Sequence, residues 1–268
     1  MESKITGGAT LPLFNATILS KYSIDFFQCK ETGFIQTEKP YWLSEAYADA
    51  ITKLDLGLVQ RNIELSEAVA PILQKYFNPN AAFLDYAGGY GLFTRLMRNK
   101  GFQFYHTDKF CTNIFAEGHD LTNTNPKPHF ELVTAFEVFE HLENPLADIE
   151  EMLQHAHNLI FSTVIVPNPV PAANQWWYYS LETGQHIAFY TLDALQFLAA
   201  KHNKFFYTNG KNLHLFSAKK LSGHPFRKSI QSICIKLLNS LTKKLAGKRN
   251  SLLDADIQQA KQLLKNNS

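Results

Sequence analysis

The chain has 268 residues, enough for one large domain with additions or two small ones, and enough to bury a sizeable core. Charged residues make up 19% and hydrophobic residues 45%, the balance of a globular rather than a disordered chain. A net charge of +2 gives no argument for a nucleic-acid partner, and three scattered cysteines, Cys29, Cys111 and Cys234, match neither a disulfide framework nor a zinc spacing.

The first residues have no apolar signal core, and apolar runs such as 159–166 are too short for a membrane span. With the cysteine usage this predicts a cytoplasmic protein in a reducing compartment. Residues 1–40 read as turns and short strands, with Gly7-Gly8, a strand over 23–28, a turn at Thr32-Gly33 and then Phe34-Ile35. Cys29 has no C-x-x-C partner, so no metal is expected there and the thiol reads as a small buried hydrophobe. From Tyr41 the pattern turns helical. Ser44 is the N-cap of a first helix over 44–51, a second runs over 57–62 and a third over 66–76. The aromatics Tyr41, Trp42 and Tyr47 either pack this segment down or line a ligand site.

Residues 83–97 carry the most specific signal. An apolar run ends in Asp85, a small-residue loop follows, and Leu92, Leu96 and Met97 recur at helical spacing. That order predicts strand, tight turn, helix, with free N–H groups at the helix start for a polar or anionic ligand. A dinucleotide fingerprint fails because Thr94 stands where the third glycine belongs, and a phosphate loop fails because no Lys follows. What remains, Asp85-Tyr86-Ala87-Gly88-Gly89-Tyr90-Gly91, resembles the first motif of class I S-adenosylmethionine (SAM)-dependent methyltransferases, (D/E)-x-G-x-G-x-G. Asp85, Gly89 and Gly91 match. Ala87 occupies the first glycine position and Gly88 a variable one. The rival reading is an ordinary Gly-rich turn.

Beyond the turn, strand and helix patterns alternate, which predicts a parallel sheet with crossovers. Residues 102–108 read as a strand ending in Asp108, 23 positions after Asp85, where an acid accepts the ribose hydroxyls of an adenosine cofactor. Asp120 and Leu121 follow. The resemblance implies that an acid here holds the adenine amino group, and a turn-capping Asp is the alternative. Residues 130–136 form the next strand and lead into Glu137-Val138-Phe139-Glu140-His141-Leu142-Glu143-Asn144-Pro145, which resembles the E-V-x-E-H-x-x-x-P signature of small-molecule and sugar methyltransferases. The resemblance then covers residues 80–220. It places Glu137 at the cofactor, and leaves His141 as either a base or a structural histidine.

A buried strand over 158–166 ends at a Pro-rich segment, and a long loop carries Trp176, Trp177, Tyr178, Tyr179 and His186. Its aromatics suit a hydroxylated ring such as a sugar. Gly184-Gln185-His186 with Phe189-Tyr190 resembles a stretch in methyltransferases encoded with bacterial surface-polysaccharide enzymes. His186 is the leading general base, since an ordinary imidazole titrates near neutrality; a histidine that only orders the loop is the alternative. Thr191 caps a helix ending near His202, and strands over 204–208 and 213–218 flank an Asn209-Gly210 turn. The tail changes character, with eleven Lys/Arg against two acids over 219–265 and leucines and isoleucines at helical spacing.

The resemblance implies an α/β fold, a Rossmann-like seven-stranded and mostly parallel sheet with an antiparallel C-terminal hairpin. An N-terminal segment and helical cap (1–79) precedes the SAM-binding domain (80–220), and a basic amphipathic helical extension (221–268) follows. Asp85, Ala87, Gly88, Gly89, Gly91, Asp108, Asp120, Leu121 and Glu137 would hold SAM, and His186 and His141 are the catalytic candidates. An Arg at position 61 either pairs with the cofactor carboxylate or is a solvated helix residue. The implied activity is methyl transfer to a small-molecule or sugar hydroxyl, in surface-polysaccharide biosynthesis. The alternative is an inactive SAM-fold module partnering a glycosyltransferase, which the departure at Ala87 favours. The tail would dock such a partner, touch a membrane surface, or pack on its own domain.

Overall fold

The computed structural model describes residues 1–48, 55–124, 128–226 and Gln262. Residues 49–51 of the first expected helix, Cys234 and nearly all of the basic extension lie outside the described residues, so the expected partner and membrane contacts of 221–268 do too. Among the described residues no helix is long and apolar enough to cross a membrane.

The N-terminal segment is a sheet before it is a cap. Strand β1 (Thr10–Ile18) pairs antiparallel with β2 (Tyr22–Cys29), which pairs with β3 (Ile35–Thr37). A short helix α1 (Leu43–Ala46) follows, and then α2 (Leu58–Tyr76). The two helices expected over 57–62 and 66–76 are therefore one. The reason lies at Ser66, which is buried and turns its hydroxyl back to the Ile63 carbonyl instead of capping a new start.

The central unit alternates as expected: β4 (Ala82–Tyr86), α3 (Leu92–Asn99), β5 (Gln103–Thr107), β6 (Phe130–Ala135), α4 (Pro145–His155) and β7 (Leu159–Ser162). After the aromatic loop come β8 (Ala188–Phe189), α5 (Leu192–Lys201), β9 (Phe205–Thr208) and β10 (Leu213–Ser217). Thr191 caps α5 by accepting from Ala194 N at 3.0 Å. The main sheet has the order β5-β4-β6-β7-β10-β9, with parallel pairs from β5 to β7 and β10 antiparallel to both of its neighbours. Consecutive β4 residues face opposite layers. Phe83 packs with α2 and α3, and Leu84 packs with α4 and α5.

Two expectations are corrected. Among the described residues the main sheet has six strands, not seven. The position beyond β5 holds only a single parallel bridge, His106 to Asp120, because the intervening segment 108–119 spends its polar groups on local bonds around Asp108, Tyr90 and Asn113. The cap, in turn, is a second four-stranded sheet of order β1-β2-β3-β8, completed by a strand from far along the chain.

The loop aromatics explain that second sheet. Tyr178 and Tyr179 are fully buried and Trp176 nearly so, packed with Phe26, Trp42 and Phe189. Only Trp177 of the four is exposed. The sugar-stacking reading of this loop is thus overturned for three of its four rings, since the two-residue strand β8 needs a large apolar cover on its outer face. Trp42 ties the segments together by donating Nε1–H to the Gly184 carbonyl at 2.8 Å. Trp42→Phe leaves that buried carbonyl unpaired and a small void, and is expected to lower stability by on the order of 2 kcal/mol in urea denaturation. A change within about 0.5 kcal/mol would contradict this role for the indole.

Candidate functional site

The carboxyl ends of β4, β5 and β6 converge on the Gly-rich turn. Asp85 sits 2% exposed beneath it, and its carboxylate accepts from Thr94 Oγ1 at 3.0 Å and Thr134 Oγ1 at 2.9 Å. Burial raises its pKa to about 6 against the opposing pull of His106 and the two hydroxyls. Asp85 therefore supports the turn from inside. Gly88, read from the sequence as a variable position, is sterically fixed: a Cβ there would stand 2.5 Å from Asp85 Oδ2 and 2.7 Å from His106 Cδ2. At Gly91 a Cβ would meet Asn113 Oδ1, and φ is +82°. Ala87 holds φ at +52°, so the left-handed conformation expected of the first glycine is adopted by an alanine, at a cost of about 1 kcal/mol or more.

Asp108 lies just past β5. Its Oδ2 accepts Gly89 N–H at 2.9 Å, and its Oδ1 accepts the N–H groups of Phe110 and Cys111, each at 2.7 Å. A carboxylate offers about four acceptor directions, so one remains for a ligand hydroxyl. Asp120 caps nothing with its side chain. Instead its Oδ1 takes His106 Nδ1 at 3.0 Å and Asn113 Nδ2 at 3.1 Å, which corrects the turn-capping alternative. His106, unnoticed in the sequence, is 1% exposed and also bonds the Gly89 carbonyl through Nε2 at 3.0 Å. Leu121 is buried beside this bridge.

Glu137 follows β6 with φ at +54°. Its N–H donates to Ser162 Oγ at 2.7 Å, and Ser162 donates back to Glu137 Oε1 at 2.6 Å. Arg61 grips Asp55 with two bonds, at 3.0 and 2.7 Å, and lies 3.8 Å from Glu137. It is half-buried and paired, so a cofactor carboxylate would have to compete with two acids.

His141 and His186, 45 residues apart in sequence, meet with ring centroids 4.9 Å apart and planes nearly perpendicular. His141 Nδ1 faces the Gln185 carbonyl and the Tyr47 hydroxyl, both at 3.0 Å, and His186 Nδ1 donates to the Tyr178 carbonyl at 2.7 Å. Tyr47 stacks on Phe110, which links the pair to the Asp108 turn. Each ring keeps some surface open, yet burial is the main cause that lowers His141 to about 3, with His186 as a second cause, and lowers His186 to about 4. The expectation of a near-neutral base is corrected: both imidazoles are uncharged at neutral pH and weakly basic. Between them lies Glu140, 0% exposed, whose carboxyl is raised well above the ordinary range by burial and by Glu137.

A family model for a methyltransferase domain matches residues 59–203, more than half of the chain. The chain belongs to the methyltransferase-domain family. No curated protein sequence matches it. Among solved structures it is similar to TnmH, at 15% identity and a TM-score of 0.44, covering 68% of this chain and 62% of that one. It is also similar to an O-methyltransferase family 2 protein from Planctomyces limnophilus in complex with apigenin, at 13% identity and a TM-score of 0.38, covering 66% and 65%. A third likeness is to the plantazolicin methyltransferase BpumL in complex with S-adenosylhomocysteine, at 12% identity and a TM-score of 0.45, covering 66% and 93%. The chain spans less than two thirds of the length of the first two.

Ala87→Gly relieves the left-handed strain but frees the unfolded chain, and the expected net gain is about 0.5–1 kcal/mol by thermal or urea unfolding. A loss of stability would show that the alanine methyl packs favourably enough to outweigh its φ. Asp85, with its folded pKa raised, contributes stability that is full below about pH 3.8 and is lost as pH rises through about 6. The stability of the wild type relative to Asp85→Asn should therefore fall by roughly 2–3 kcal/mol between pH 4 and pH 7, and a flat difference would mean that Asp85 is ionised throughout.

Proposed function

We propose that the protein is a SAM-dependent methyltransferase that methylates a small-molecule hydroxyl, with sugars as the first acceptors to try. The observation that supports this best is the junction of Asp108 with Gly89, a carboxylate at the tip of a parallel strand bonded to the N–H of a Gly-rich turn. Open α/β sheets bind ligands at this edge, and the remaining acceptor direction on Asp108 suits one ribose hydroxyl. Asp120 and Leu121 would then flank the adenine, and Gly89, Gly91 and Glu137 the amino-acid end. Asp85, Ala87 and Gly88 serve from behind, by shaping the turn.

Bound SAM would supply an electrophilic methyl group to an acceptor oxygen held in line with its carbon–sulfur bond, with S-adenosylhomocysteine as the leaving group. Alignment of oxygen, methyl and sulfur supplies most of the rate. The hydroxyl proton passes to a neutral imidazole, with His186 as the proton acceptor and His141 beside it. Their low basicity fits an acceptor whose proton departs late, as the oxygen becomes positive during methyl transfer. The aromatic support for a sugar is reduced to the exposed Trp177. A role in surface-polysaccharide synthesis rests on the resemblance of the 184–190 stretch.

Calorimetry with SAM and S-adenosylhomocysteine tests this reading. The expected result is micromolar binding that weakens at least tenfold in Asp108→Asn, with circular dichroism and melting showing that the variant is folded. Absence of binding to the wild type at millimolar ligand would overturn it and leave a non-catalytic module. Where binding holds, His186→Ala should lower methyl transfer to a responsive acceptor about 10²–10⁴-fold while leaving SAM affinity unchanged.

A further inference from the structure

We propose that Glu140, His141 and His186 form a binding site for a divalent transition-metal cation of the zinc class. One donor atom from each of the three lies within 4.8 Å of the other two. Glu140 and His141 are adjacent on a single 3-10 turn, Phe139–His141, and His186 arrives from the aromatic loop. The two segments are clamped by a backbone bond from Ile187 N to Glu140 O at 2.8 Å, so the cluster is held by the fold and not by chance rotamers.

The decisive observation is Glu140. Its side chain is fully buried, and neither carboxylate oxygen accepts a hydrogen bond. The Glu140 backbone N–H and the Tyr178 hydroxyl are close enough to favour the charged form, but neither has hydrogen-bond geometry to it, and Tyr178 stands 3.3 Å from Thr163 Oγ1. A buried carboxyl without partners is costly to keep, and a cation is the partner that two oxygens and no donors call for.

The histidines are arranged to match. A backbone carbonyl only accepts, so the bonds to Gln185 O and Tyr178 O fix a proton on each Nδ1 and leave the lone pair on each Nε2. An imidazole whose far N–H is held by a carbonyl is the usual setting of a metal-ligating histidine. Two nitrogens and one carboxylate oxygen suit zinc, cobalt(II) or iron(II), while magnesium and calcium require oxygen donors throughout. Tetrahedral bonds of 2.0–2.1 Å place ligand atoms about 3.3 Å apart, so the cluster needs only a modest closure. The nearby positive charge, Arg61, is already paired with Asp55 and Glu137.

Three protein ligands leave at least one coordination position open. A cation here would use the nitrogens that otherwise accept a proton, and an acceptor oxygen bound at the open position would be acidified by the metal instead. The binding site itself rests on this geometry alone and stands or falls separately from methyl transfer.

The test uses the full-length protein, stripped with a chelator and dialysed. Zinc(II) is titrated by calorimetry, and cobalt(II) is followed by its visible ligand-field bands. One equivalent is expected to bind with micromolar or tighter affinity and to give the absorption of a four- or five-coordinate site. His186→Gln and Glu140→Gln should each weaken binding at least tenfold, whereas His129→Gln, at an exposed position, should leave it unchanged. Should Glu140→Gln fail to fold, the comparison of His186→Gln with His129→Gln decides alone. Absence of one-equivalent binding, or equal binding by His186→Gln and wild type, would overturn the proposal, since the metal would then sit on surface histidines or nowhere.

Discussion

The turn at the centre of this protein depends on a buried acid and a buried imidazole packed beneath it. Asp85 and His106 fill the space that a side chain at position 88 would need. Each nitrogen of His106 faces an oxygen that accepts, the Asp120 carboxylate on one side and the Gly89 carbonyl on the other. Through that one side chain, the Gly-rich turn is bonded to the bridge that replaces a seventh strand. Asp108 closes the same loop from outside by accepting Gly89 N–H. The turn is thus held on its N–H side by one acid and on its carbonyl side by a histidine that a second acid orients.

The second sheet supplies the other wall. A two-residue strand such as β8 contributes few ladder bonds, and its place is secured by packing. Phe26, Tyr178, Tyr179 and Phe189 make a continuous set of tilted and edge-on contacts with centroids 5.1 to 6.4 Å apart. Trp42 and Gln185 cross-link the same region by hydrogen bonds to Gly184 O and Ala46 O. This packing delivers His186 to His141. The aromatic content of the loop is therefore a cost of building the site from two sheets, and recognition of a ligand ring falls to few exposed groups.

Electrostatics separate the two halves of the site. On the Gly-rich side the acids Asp108 and Asp120 are held by N–H donors and by His106. On the histidine side two uncharged imidazoles surround an unpartnered carboxyl, with Arg61, Asp55 and Glu137 forming a paired set alongside. Acids thus stand at one end of the site and neutral nitrogen lone pairs at the other. The same lone pairs, together with Glu140, make the histidine side attractive to a metal.

Residue order alone determined the alternating centre of the fold. The apolar run into Asp85, the acid 23 residues later and the apolar 130–136 run are local patterns, and each became the strand end that it predicted, because a parallel sheet covered on both faces requires continuous apolar strands with polar tips. The Thr191 cap and the Asn209-Gly210 turn were legible for the same reason, since their bonds reach only a few residues. The structure decided what local pattern cannot encode. Ser66 reads as a helix start but is a buried helix interior, and Gly88 reads as free but is pinned by side chains that arrive from β4 and β5. Tyr178 and Tyr179 look like ligand-facing aromatics, yet lie under a strand paired with residues 152 and 154 positions away. His106 gave no signal, because its partners, at positions 89 and 120, meet only when the sheet forms. The basicity of His186 is likewise a property of its surroundings: burial against Tyr178 and Phe189 removes the water that stabilises an imidazolium, and sequence carries no measure of that loss.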